Sequence, residues 1–126
     1  MPLDPILARL SPPVRTACRP LVGRPLQSVA TLRAAVEAHA ARAEQASGDL
    51  IDRPLARLIA DGLLRLLGAD LDEDQRRAVQ LACDYFISDE DAESDLTSPL
   101  GFEDDAEVFN AVAAVLGFDD AVIPLD

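Results

Sequence analysis

The sequence predicts an all-α fold: a single compact bundle of four main helices, with a Pro-rich N-terminal arm and an acidic inter-helix loop. Three observations predict it. From Ser28 onwards apolar residues recur at spacings of three and four, the period of a helix with one buried face. No segment sustains the period-two alternation of β-branched residues that marks a half-buried strand. A length of 126 residues with 49 % apolar composition suits one domain with a substantial core, spanning residues 1–126.

Taken in order, the elements follow from local chemistry. Six of the nine Pro fall within residues 1–25. Interior Pro removes a backbone donor and clashes with the preceding turn, so this segment reads as an arm. It has room for one short helix around Asp4–Leu10, with Asp4 as cap and Pro5 at its first position. Residues 11–25 read as irregular. The first main helix follows Ser28, with Val29, Leu32, Val36, Ala40 and Ala43 on one face, and closes at Ser47-Gly48. The second is capped by Asp52, carries Pro54 in its first turn and ends at Gly68. Leu55, Leu58, Ile59, Gly62, Leu63, Leu66 and Leu67 form its wide apolar face. The third starts at Asp70 or Asp72. Its apolar residues (Ala78, Val79, Leu81, Ala82, Cys83, Tyr85, Phe86) cover so much of its circumference that it is expected to lie centrally. The last runs over about 103–116 and stops at Gly117, followed by a short apolar tail. The helices over 52–68, 72–87 and 103–116 are expected to supply most of the core.

Charge is distributed unevenly. Residues 1–77 hold all eleven Arg against ten acids, a balance of +1; residues 78–126 hold thirteen acids and no Lys or Arg. The net charge of −12 argues against nucleic acid as partner, which requires a basic footprint to displace phosphate counterions, and against an anionic membrane surface. No charge-free apolar stretch approaches the ~18 residues of a membrane span, and Met1–Pro5 lacks the basic and apolar regions of a signal peptide. Two Cys, Cys18 and Cys83, are too few for a disulfide framework and read as free thiols in a reducing, cytoplasmic setting, with Cys83 as a small buried hydrophobe.

Candidate chemistry concentrates between Asp84 and Asp105, where nine acids and no base occur. Such crowding costs self-repulsion, and helix N-termini, backbone amides, a cation or a basic partner can offset it. Asp89, Asp91, Glu93 and Asp95 alternate like the first positions of an EF-hand loop, the weak candidates for a Ca²⁺, Mg²⁺ or Mn²⁺ site. The match then fails at Ser94, where the turn needs Gly, and at Leu100, where the bidentate Glu belongs. Asp104 and Asp105 fit the start of a helix. His39, the sole His, has no orienting partner in sequence. Ser94 and Ser98 read as turn residues. Asp84 reads as exposed or bonded to an Arg such as Arg76 or Arg77, with an inward-facing carboxyl of perturbed pKa as the alternative. The glycines are isolated and form no phosphate-binding loop.

The same stretch resembles the YkvA-like bacterial proteins, a domain of unknown function. Tyr85, Asp91, Asp95, Leu100, Gly101, Phe102, Asp104 and Asp105 occupy matching positions, over about residues 79–116. Asp89, Ser94 and Ser98 stand where the family has Pro, and Glu93 where it has an apolar residue, a loss of stiffening residues that favours a more mobile loop. The resemblance implies a helix–acidic loop–helix unit and no reaction. The sequence therefore predicts a non-enzymatic interaction or regulatory module that requires no cofactor. It would use its acidic C-terminal third, with Asp91, Asp95, Asp104 and Asp105 as interaction residues, to meet a basic protein surface. Self-association through Arg9, Arg15, Arg19 and Arg24 is a variant of this reading. Its alternative is a divalent-cation-binding domain built on the Asp91–Asp105 carboxylates.

Overall fold

Six α-helices and one 3-10 turn make up the computed structural model, which describes residues 3–45, 53–87 and 101–124. They are α1 (Asp4–Ala8), α2 (Pro12–Val22), α3 (Val29–Gln45), α4 (Arg53–Leu67), α5 (Glu73–Ile87), α6 (Gly101–Leu116) and the turn Asp119–Ala121. No strand occurs among the described residues. Helices α3 to α6 fall where apolar residues recur at three and four, and α1 and α2 bring the number of helices among the described residues to six rather than the four main ones expected. Asp52, Ser47 and Gly48, expected to cap and stop helices, lie outside the described residues, as does the stretch 88–100, expected to form the acidic loop.

The expected irregular arm is instead helical, because of where its prolines fall. Pro12 and Pro13 occupy the first turn of α2, where no intrahelical donor is needed. Pro20 sits inside the helix. It removes one backbone bond, and burial of Val14, Cys18 and Leu21 along a single stripe offsets that loss. Arg15 fastens α2 to α1 by donating from Nε to the Leu7 carbonyl (2.9 Å) and from Nη2 to the Leu10 carbonyl (2.8 Å), satisfying acceptors that the end of α1 leaves open. Asp4 is the first residue of α1, and Leu3 takes the cap position expected of Asp4.

Local signals set the other ends. The Thr31 amide donates to Ser28 Oγ at 3.1 Å, capping α3. Asp72 and Gln75 form a reciprocal capping box on α5: the Gln75 amide reaches Asp72 Oδ1 at 2.8 Å, and the Asp72 amide reaches Gln75 Oε1 at 2.9 Å. Gly117, at φ +86°, ends α6 in a left-handed conformation. The Phe118 and Gly117 amides then bond back to Ala113 and Ala114, a Schellman closure.

Helix α5 is the centre. It packs against α2, α3, α4 and α6, while α1 and α4 also lie on α6 and α3 lies on α4. Every residue from Ala78 to Phe86 is buried. Buried side chains from all six helices and from Ile123 form one continuous cluster, with Ile6, Ile59, Leu63, Tyr85, Phe86 and Phe109 among its largest fully enclosed members. Leu58, expected on the core face of α4, is instead 53 % exposed. Where α4 meets α6, Gly62 faces the Phe109 ring so closely that a Cβ there would lie 2.9 Å from Phe109 Cε1.

This close approach gives a direct test. Gly62→Ala gains about 1 kcal/mol of helix propensity. It also overpacks a fully enclosed ring, at a cost of about 1–3 kcal/mol. We expect a net loss of stability in urea unfolding, and a Gly62→Ala/Phe109→Leu double variant less destabilised than the sum of the two single changes.

Candidate functional site

Of the carboxylates singled out by sequence, Asp89, Asp91, Glu93 and Asp95 lie outside the described residues. Asp104 and Asp105 lie in α6. Starting that helix at Gly101 puts Glu103 and Asp104 in its first turn, where carboxylates complement the N-terminal dipole. The two neighbours then part: Asp104 is half-buried, while Asp105 is 2 % exposed and packed inside. Among the described residues no three His, Cys, Asp or Glu side chains gather closely enough to hold a metal ion.

The polar groups that the fold does bring together lie on α5. Arg76, Gln80 and Asp84 are spaced at four and form one row. It faces the linker between α2 and α3. Arg76 Nη2 donates to the Gln27 carbonyl (3.2 Å), and Gln80 Nε2 donates to the Pro25 carbonyl (2.8 Å). Gln80 Oε1 accepts from the Gln27 amide at 2.7 Å. Asp84 Oδ1 lies 4.0 Å from Arg24 Nη1. A linker containing Pro25 cannot satisfy its own backbone in a regular ladder, and the α5 row supplies the missing partners.

Asp84 is thus buried and turned to Arg24, rather than exposed or bonded to Arg76 or Arg77 as expected; Arg77 instead meets Glu73 at 3.9 Å. Burial raises the Asp84 carboxyl above its ordinary 3.8, opposed by the Arg24 charge and the Gln80 amide. Its neighbour Cys83 is also buried, and its thiol is pushed far up by desolvation and by the Asp84 charge. Cys18 and Cys83 are both buried thiols outside any disulfide, Cys83 as the small buried hydrophobe expected of it. His39, without an orienting partner in sequence, is 1 % exposed. Arg42 Nη2 lies 3.0 Å from its Nδ1, and since a guanidinium can only donate, Nδ1 is the acceptor. The ring meets Phe86 edge-on with centroids 4.8 Å apart, tying α3 to α5.

Acids of the C-terminal third also hold the fold together. Glu107 Oε2 accepts from the Ser11 amide at 2.7 Å, at the N-terminal end of α2. Asp120 meets Arg65 at 2.7 Å, which keeps its carboxyl below the usual range. Asn110 grips the chain after the 3-10 turn, donating to the Ile123 carbonyl (2.9 Å) and accepting from the Ile123 amide (2.7 Å). Residues 119–124 therefore lie as a strap across α4 and α6. Beside it runs a groove of about 310 Å³ whose lining includes Leu58, Asp61, Gly62, Arg65, Asp120 and Val122.

No family model, curated protein or solved structure matches the chain.

Sequence reasoning missed the α5 row and the groove. A signal for the first existed: Arg76, Gln80 and Asp84 repeat at four on a helix otherwise apolar from Ala78 to Cys83. The groove had none, because its walls lie far apart in sequence.

The buried carboxyl makes a pH prediction. Below 3.8 both native and unfolded chains hold the proton on residue 84. As pH rises from there to the elevated native value, the unfolded chain releases it first, so stability falls through this window. Asp84→Asn removes that loss. Thermal melts are expected to show a higher midpoint for the variant at neutral pH and a difference that closes as pH approaches 3.8.

Proposed function

We propose that this protein is a non-enzymatic interaction module that engages a basic protein partner through its acidic C-terminal third. The observation that carries the reading is the thirteen acids and absence of Lys or Arg over residues 78–126. The geometry supports it in a specific way. Among the described residues, Arg24 of the basic front faces Asp84 and Arg65 faces Asp120. Glu103 and Asp119 remain exposed on the surface. A field of one sign over such a region steers a complementary partner and sets its orientation more than its affinity. With this goes the proposal that residues 79–116 form a YkvA-like unit, supported by the packing of α5 on α6 at the two ends of that stretch.

The test uses a lysine-rich peptide as probe. Neutralising Asp89, Asp91, Glu93 and Asp95 together is expected to weaken binding about fivefold or more at low salt. Neutralising Glu37, Asp70, Glu73 and Asp74, an equal change in net charge on the front of the chain, is expected to weaken it less than about twofold, and both differences shrink at high salt. Equal losses in the two variants, or binding indifferent to salt, overturn the reading.

A further inference from the structure

Two large apolar side chains stand out among the described residues because the core leaves them uncovered: Leu58 at 53 % exposure and Val122 at 38 %. They come from α4 and from the C-terminal strap, and they line the same groove of about 310 Å³. Asp61, Arg65 and Asp120 supply the charged part of its lining, with exposed Asp119 beside Asp120. We propose that this groove is the docking site for a partner segment that seats an apolar side chain between Leu58 and Val122 and places Lys or Arg against the carboxylates around it. The inference rests on the acidic-module reading and adds one contact for the same partner, where the end of the acidic third meets α4.

Three features decide the occupant. The first is charge. The lining carries two carboxylates against one guanidinium, and that guanidinium, Arg65, already holds Asp120 at 2.7 Å. Arg57 Nε likewise already meets Asp61 Oδ1, at 3.4 Å. A carboxylate accepts several donors through its two oxygens, so an incoming Lys or Arg adds to these pairs, while an acidic segment meets repulsion. The second is net charge: a second copy of a chain at −12 brings like charge against like, which disfavours self-association here. The third is preorganisation. The strap wall is fixed by the paired bonds between Asn110 and Ile123 and by the Arg65–Asp120 bridge. Binding therefore needs little ordering of the protein.

The experiment selects a displayed library of random peptides on the full chain. The enriched peptides are then measured against wild type and a Leu58→Ser/Val122→Ser variant, which keeps every charge and alters only exposed positions. Expected are peptides with an apolar residue flanked by Lys or Arg, binding the variant about tenfold or more weakly, with unchanged melting behaviour of the variant. Basic peptides that bind both proteins equally overturn the groove assignment and leave the acidic-surface reading standing. Enriched peptides without basic residues, or no enrichment, overturn both. A wild-type dimer in sedimentation that the variant abolishes places a second copy in the groove and overturns the proposed occupant.

Discussion

The structure depends on the enclosure of α5. From Ala78 to Phe86 the helix is covered by its neighbours α2, α3, α4 and α6 and buried without a break, while Glu73 and Asp74 in its first turn stay exposed. Such a helix has to be almost wholly apolar or to find a partner for each polar side chain it keeps, because a buried polar group without one costs roughly 1–3 kcal/mol. This helix keeps Gln80 and Asp84. Their partners come from the linker that passes over them: the amide of Gln80 satisfies Pro25 and Gln27, and Arg24 approaches Asp84. Gln80 and the non-helical linker thus resolve each other, while Asp84 keeps one buried oxygen, Oδ2, without a hydrogen bond. The path of the chain from α2 to α3 is set by side chains of a helix that comes two elements later.

The N-terminal region obeys the same logic. α1 and α2 are short and rich in Pro, and isolated helices of that length are marginal in water. They persist because α1 lies on α6 and α2 on α5, burying Ile6, Val14 and Cys18. Polar contacts then fix their ends. Arg15 takes the carbonyls that close α1, and Glu107 of α6 takes the Ser11 amide where α2 begins. At the other terminus Asn110 and Arg65 hold the strap in the same manner. Some of the acidity of the C-terminal third is therefore structural. Glu107 and Asp120 serve the fold, while Glu103 and Asp119 face outward.

The legible and illegible parts of this molecule divide along a physical line. Helices α3 to α6 follow from residues three and four apart, together with caps such as Ser28, the Asp72–Gln75 box and the Gly117 stop. The central position of α5 was legible as well, since apolar residues on most of its circumference require neighbours on most sides. Helix α2 was not. Its prolines are local signals against a helix, and only their placement in the first turn, plus burial of a stripe against α5, reverses the balance. Leu58 fits the apolar period of α4 yet stays exposed, because periodicity places a side chain on a face without saying whether a neighbour covers that part of it.

By itself the sequence determined the all-helical class, the starts of α3 and α5, the ends of α4 and α6 and the asymmetry of charge, because each rests on interactions within a few residues or on composition alone. The tertiary structure decided which acid is buried, which carboxylate meets which arginine, and which apolar residues remain uncovered. Asp84 and Arg24 are sixty residues apart in the chain, and Leu58 and Val122 are sixty-four apart. Contacts over such separations are set by how the helices pack around α5, which no local pattern encodes.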